Sequence, residues 1–133
     1  MKYSVLVILL LFSSIGSADV YQYCQTQIEI VKNLSKLSSE ELIKKKSEVA
    51  KSDSIESLTK ATGTDYPSMI SMLSKENVAE DKANLFVMKG MKAFEMRNIS
   101  LAINIKELPR EPDDYFWNQA FDMCVKGNRD QFE

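Results

Sequence analysis

A chain of 133 residues, of which 44% are hydrophobic, is long enough for one domain with a single modest core. Its formal net charge of −2 argues against a nucleic-acid-binding protein, which needs a concentrated basic face. The sequence contains no histidine, which excludes Ser-His and Cys-His catalytic pairs and removes the commonest metal ligand.

The first 18 residues have the three parts of a secretory signal peptide. Lys2 supplies a positive charge, residues 5–12 form an uninterrupted apolar run, and Gly16-Ser17-Ala18 offers small residues for cleavage. The apolar run is shorter than the ~20 residues needed to cross a bilayer. We therefore predict a signal peptide over residues 1–18, a single helical domain over residues 19–133, a periplasmic or secreted location, and no stable membrane insertion after cleavage.

The only cysteines are Cys24 and Cys124. An even cysteine count in an exported chain favours one intramolecular disulfide. Redox chemistry is the alternative, but a C-x-x-C spacing is absent and no histidine is available to lower a thiol pKa. Because bonded cysteines have Cα atoms within about 7 Å of each other, the pairing predicts that the first and last helices lie side by side.

Helical spacing of apolar residues dominates the first half of the mature chain. It predicts a first helix over residues 20–37. Ser38 with Glu41 fits a capping box at the start of a second helix, and Asp53 with Glu56 offers another box at the start of a third.

Further helix signals follow. Gly63 is a predicted helix stop, and Pro67 suits the first turn of the next helix. Asn77 is a predicted cap for a long helix over residues 78–98. Residues 99–105 alternate between apolar and polar, as in a strand, but no second strand is available to pair with them, so we favour helix there.

The last predicted helix follows a loop over residues 108–114. Asp113 or Asp114 caps this helix, which is predicted over residues 115–126 and ends at Gly127. The predicted fold class is therefore all-α, a small bundle of about five to six helices with one disulfide joining the first and last helices.

No catalytic motif stands out. The chain lacks nucleotide-binding glycine patterns and the G-x-S-x-G sequence. Carboxylate pairs are the remaining route to hydrolysis, but each one lies beside a predicted helix start, where acids stabilise the helix dipole. These pairs are Glu40/Glu41, Glu80/Asp81 and Asp113/Asp114. We predict no enzymatic activity, no cofactor and no metal site.

One segment, ELPREPDDYFW over residues 107–117, is predicted to be a contact site. Its prolines stiffen the chain, and its three successive aromatic residues point in different directions on a helix, so at least one reaches the surface. Exposed aromatic residues often anchor protein interfaces. In the alternative interpretation Phe116 and Trp117 pack on the disulfide while Tyr115 covers an edge. The predicted partner-binding residues are Glu107, Asp113, Asp114, Tyr115 and Trp117.

Methionines and glycosylation sequons provide weaker signals. Six methionines fall in the mature chain, and the five that cluster between residues 69 and 96 could line a groove for a peptide or lipid, although methionine is more often core filler. The sequons Asn33-Leu34-Ser35 and Asn98-Ile99-Ser100 matter only in a host that glycosylates secreted proteins.

A small, exported, disulfide-linked helical protein without catalytic residues favours an inhibitor or immunity-type protein. Such a protein acts by contact with another protein, for example a secreted hydrolase or toxin. In outline, with a signal peptide, an early Cys, a late Cys and helices between, the chain resembles the periplasmic helical immunity proteins that neutralise secreted cell-wall amidases. No motif matches residue by residue, so the resemblance implies no site residues. The alternatives are a carrier of an apolar small molecule, with the methionine-rich helices as its walls, or a secreted effector.

Overall fold

Six helices and no strand make up the part of the chain that the structure describes. The computed structural model describes residues 17–132, with the backbone alone for residues 17–19 and 131–132. The first four helices are α1 (Ser17–Ser35), α2 (Ser39–Lys51), α3 (Ile55–Thr62) and α4 (Tyr66–Lys75). Helix α5 runs without a break through Glu80–Leu85, the π-helical segment Phe86–Met91 and Lys92–Lys106, and α6 spans Asp114–Phe132. The predicted all-α fold is confirmed.

The predicted disulfide joins the first and last helices. Cys24 in α1 and Cys124 in α6 are bonded, and their Cα atoms lie 5.8 Å apart. Val20, Tyr23 and Val125 are buried around the bond and form a small core between the two helices. Cys24 itself is fully buried. The covalent bond and this core together hold α6 against α1.

The main core surrounds α5. Helices α1 and α2 pack against its last segment, while α3 and α4 lie closer to its start. Two of the methionines, Met69 and Met91, are buried in this core, which agrees with the interpretation of methionine as core filler. The core residues are Leu42, Val49, Leu58, Tyr66, Met69, Val87, Met91, Ile99 and Ala102.

Several predicted helix ends are confirmed. The Ser38 hydroxyl accepts a hydrogen bond from the Glu41 N–H at 3.1 Å, so Ser38 is the N-cap of α2 as predicted. The Glu41 carboxylate accepts from the Ser38 hydroxyl at 3.0 Å rather than from the backbone N–H that a full capping box would use. Gly63 ends α3 in the left-handed conformation, with φ 74°. At α6 the Asp113 carboxylate accepts from the Phe116 N–H at 2.9 Å, so Asp113 is the cap rather than Asp114.

The cap predicted at Asp53 and Glu56 is wrong by one residue. The Ser54 hydroxyl accepts from the Ser57 N–H at 3.1 Å, and the Ser57 hydroxyl accepts from the Ser54 N–H at 3.0 Å. The two hydroxyl groups thus satisfy the backbone N–H groups of Ser54 and Ser57, and both serine side chains are shorter than that of Glu56. Ser54 is therefore the N-cap of α3, which begins at Ile55, and Asp53 is exposed.

Two other predicted ends are also wrong. Asn77 has a φ of 65° and follows the end of α4, because asparagine tolerates the left-handed conformation that often terminates helices. Ala79, not Asn77, is the residue before α5. Gly127 lies within α6, which continues to Phe132.

Residues 99–105 form part of α5, as favoured. Ile99 and Ala102 are buried in the main core, whereas Leu101 and Ile105 lie on another side of the helix. The segment is therefore apolar on two sides, and this produces the alternation that resembles a strand in the sequence.

The predicted signal peptide, residues 1–18, lies outside the described residues except for Ser17 and Ala18, which begin α1. Within the described range, no helix has the length and apolar character needed to cross a membrane.

Candidate functional site

A groove of about 600 Å³ lies between α5 and α6. Both helices pack on α1 but make few direct contacts with each other, so α1 forms the floor of the gap between them. We call this gap the α5–α6 groove. Ile28 and Val31 of α1 lie at the floor. The walls include Leu101 and Ile105 from α5, and Ala120 and Met123 from α6.

Exposed apolar side chains are concentrated along the groove. Seven large hydrophobic residues between positions 20 and 130 are exposed, and three of them, Leu101, Leu108 and Met123, line this groove. Met123 is 72% exposed. Contiguous apolar surface that no described residue covers is typical of a binding site, whereas scattered single residues are ordinary.

Gln27 is a buried polar residue beside the groove. It is only 5% exposed, and its Oε1 atom, which solvent does not reach, has no hydrogen-bond partner among the described residues. An unpaired buried acceptor is destabilising by about 1–3 kcal/mol. Because the Oε1 atom is inaccessible from the open groove, it bears on the stability of the protein and not on ligand binding.

A second cavity, of about 720 Å³, adjoins one end of the groove. The two spaces share the side chains of Ile105, Leu108 and Trp117. The second cavity is polar, and its four basic residues outnumber its two acidic ones. We call it the basic cavity; its charged residues are Lys32, Lys36, Lys106, Arg110, Glu29 and Glu111.

Trp117 lies where the two spaces meet. The Lys32 ammonium is 5.5 Å from the centroid of the Trp117 ring, within the range of a cation–π contact. Phe116 meets the same ring edge to face, with centroids 5.0 Å apart. These contacts fix the indole ring between the apolar groove and the basic cavity.

The predicted partner-binding residues do not form one surface. Trp117 is half-buried and lines the groove, whereas Tyr115 is 69% exposed. Asp113 and Tyr115 line a third cleft, of about 360 Å³, which adjoins the groove at Leu108 and Phe116. Glu107 and Asp114 are exposed, and neither lines the groove, the basic cavity or this cleft. The structure therefore brings Asp113 and Tyr115 together but places Trp117 in the groove.

Most residues of the groove had no signal in the sequence. Gln27, Leu101 and Met123 come from three different helices and belong to no motif. Residues 99–105 gave the one clue to this surface in the sequence. Apolar residues occur on two sides of a helix over this segment, so both sides need apolar contacts.

A buried carboxyl group lies elsewhere in the bundle. The Tyr66 hydroxyl donates to Glu95 at 3.0 Å, and the Thr64 hydroxyl donates at 3.5 Å. Burial raises the pKa of Glu95, against the opposing effects of the Tyr66 hydrogen bond and the nearby Lys45 charge. Burial, and then the neighbouring Glu95, raises the pKa of Tyr66. Lys45 also donates to the last carbonyls of α3 at 3.4 Å, so this cluster connects α2, α3, α4 and α5.

No protein-family model matches the chain, and no curated protein or solved structure shows significant similarity to it. Its function must therefore be inferred from the chemistry of the α5–α6 groove and the basic cavity.

Proposed function

We propose that this chain is an exported binding protein that holds an elongated apolar molecule in the α5–α6 groove. The observation that carries the proposal is the groove itself, which the exposed apolar side chains of Leu101, Leu108 and Met123 line together. Its volume of about 600 Å³ lies within the ~300–1,000 Å³ typical of ligand pockets.

The shape of the groove favours a long ligand over a compact one. Arg97 and Ile105 both line it, and the helical rise of 1.5 Å per residue places them about 12 Å apart along α5. Each buried methylene group contributes about 0.8 kcal/mol. The groove is open along one side, so only part of a chain is desolvated, and we expect dissociation constants in the micromolar range or weaker.

Export is part of the proposal. The Cys24–Cys124 bond supports folding in an oxidising compartment, because structural disulfides are rare in the cytosol. The predicted signal peptide over residues 1–18 supports the same location. A carrier in the periplasm or outside the cell would keep an apolar molecule from aggregating in water.

The test uses N-phenylnaphthylamine, an uncharged probe whose fluorescence rises in apolar surroundings. Ala120 lines the groove and is half-buried, so Ala120→Phe fills the space that the probe needs. Ala93→Phe is the matched control, because Ala93 is exposed and does not line the groove. We expect the wild type and Ala93→Phe to bind the probe, and Ala120→Phe to lose at least tenfold in affinity. Equal binding by both variants would contradict the proposal.

A second function is favoured by a different surface. Tyr115 is 69% exposed and shares a cleft with the acidic residue Asp113, and this combination suits an inhibitor or immunity-type protein that contacts another protein. The test measures inhibition of secreted cell-wall hydrolases by the purified chain. We expect Tyr115→Ala to weaken inhibition at least tenfold, while Leu85→Ala, at another exposed apolar residue, leaves it unchanged. Absence of inhibition by the wild type would remove this second candidate.

A further inference from the structure

We infer that the ligand of the α5–α6 groove is a single-chain amphiphile with a carboxylate head, of the fatty-acid type. Its alkyl chain lies in the groove and its carboxylate lies in the basic cavity. This inference rests on the proposed function, because it requires the groove to be a ligand site, and it adds the chemical class and the orientation of the ligand.

The groove and the basic cavity are continuous. Ile105, Leu108 and Trp117 line both spaces, and Arg97 lies about 12 Å from Ile105 along α5, away from the basic cavity. A molecule that follows the apolar walls from the Arg97 end past these shared side chains therefore passes from mostly apolar to mostly charged surroundings. Such a change of polarity along one continuous path matches a molecule with an apolar chain and a charged end.

The basic cavity has a net positive charge. Four basic residues and two acidic residues line the basic cavity, an excess of two positive charges in a chain whose net charge is −2. No ion pair joins these basic residues to any carboxylate among the described residues. Lys32 contacts the Trp117 ring and Lys36 donates to the Asn33 side chain at 3.4 Å. Uncompensated positive charge beside an apolar groove favours an anionic head group.

The shape of the groove indicates the form of the ligand. The groove is a cleft with α1 as its floor. A cleft accepts one chain at a time, whereas a bilayer surface requires a broad protruding apolar face. The net negative charge of the chain also disfavours an anionic membrane. The ligand is therefore a monomer rather than a membrane.

The experiment measures displacement of N-phenylnaphthylamine by dodecanoate, dodecanol and dodecylamine, all below their aggregation concentrations. An exposed ion pair increases binding affinity only a few-fold. We therefore expect dodecanoate to bind about tenfold more tightly than dodecanol in low salt, with a smaller difference in high salt. Dodecylamine should bind most weakly.

Charge-neutralising variants locate the head group. Lys36→Gln with Arg110→Gln removes two positive charges from the basic cavity and should abolish the preference for dodecanoate while leaving dodecanol binding unchanged. Lys51→Gln with Lys75→Gln is the matched control, because both lysines are exposed and line neither space. The control should keep the wild-type preference.

The outcomes separate this inference from the proposed function. Equal binding of dodecanoate and dodecanol, with no effect of the cavity variant, overturns the carboxylate assignment and leaves a groove that binds apolar chains. A preference for dodecylamine also overturns it. Co-sedimentation of the protein with phosphatidylglycerol vesicles, if it depends on Lys36 and Arg110, overturns the inference that the ligand is a monomer rather than a membrane. If Ala120→Phe weakens the binding of none of these compounds, both the inference and the proposed function are overturned.

Discussion

The Lys32 ammonium lies 5.5 Å from the centroid of the Trp117 ring, and this contact joins α1 to α6 at the end of the α5–α6 groove. The disulfide between Cys24 and Cys124 joins the same two helices farther along. Between these two connections α6 stays on α1 and apart from α5. The groove thus results from how α6 is attached.

Removal of the disulfide tests how α6 is held. For the double variant Cys24→Ala/Cys124→Ala we expect the free energy of unfolding to fall by about 2–5 kcal/mol, because a bond between distant residues strongly restricts the unfolded chain. Urea denaturation measures the change. We also expect binding of N-phenylnaphthylamine to weaken, because α6 forms one wall of the groove. A change below ~1 kcal/mol would show that packing alone holds α6.

Gln27→Met tests whether a buried polar group beside the groove is unpaired. Methionine has nearly the same shape as glutamine but no amide, so this variant removes the unpaired Oε1 atom. We expect the free energy of unfolding to rise by about 1 kcal/mol. Thermal denaturation measures the effect. Destabilisation by this change would mean that the amide has a partner in the folded protein.

The buried Glu95 gives a prediction about pH. Burial raises the pKa of its carboxyl group above the ordinary value of 4.5, so the folded state binds this proton more tightly than the unfolded state does. The resulting stabilisation is complete below the unfolded pKa and is lost as the pH rises through the folded pKa.

The variant Glu95→Gln keeps an acceptor for the Tyr66 hydroxyl but cannot ionise. We therefore expect it to be more stable than the wild type at neutral pH and equal to it near pH 4.5, measured by urea denaturation across this range. Lower stability of the variant at neutral pH would show that the attraction between Lys45 and the carboxylate outweighs burial.

The two sequons differ in exposure. Asn33 is exposed and lines the basic cavity, whereas Asn98 is fully buried in α5. When the protein is secreted from a glycosylating host, we expect mass spectrometry of the folded product to find a glycan on Asn33 and none on Asn98, because a glycan on Asn98 would prevent α5 from packing. Asn33→Gln should remove the added mass. A glycan that disappears with Asn98→Gln instead would contradict this placement.

The features of the fold that depend on local chemistry were predictable from the sequence. Cys24 and Cys124 were the only cysteines, so their pairing followed from the expected compartment. Ser38 and Gly63 act through hydrogen bonds and backbone conformation within a few residues of themselves. Asn77 was assigned to the wrong helix because asparagine favours both helix starts and left-handed helix ends.

The candidate site was not predictable in the same way. The groove depends on the separation of α5 from α6, which no local pattern encodes, and the residues that line it come from three helices and from the loop between α5 and α6. Trp117 was singled out for its place in an aromatic run, not for the contact with Lys32 that positions it. Tyr115 was predicted to contact a partner, and its exposure leaves that prediction to experiment.

The most direct test of the account is an isotope-filtered nuclear Overhauser measurement on the protein with labelled dodecanoate. The account predicts contacts from the methylene next to the carboxylate to the Trp117 ring, and contacts from the middle of the chain to Leu101 and Ala120. Contacts spread over unrelated exposed residues such as Ile43 and Leu85, with none to Leu101 or Ala120, would contradict it.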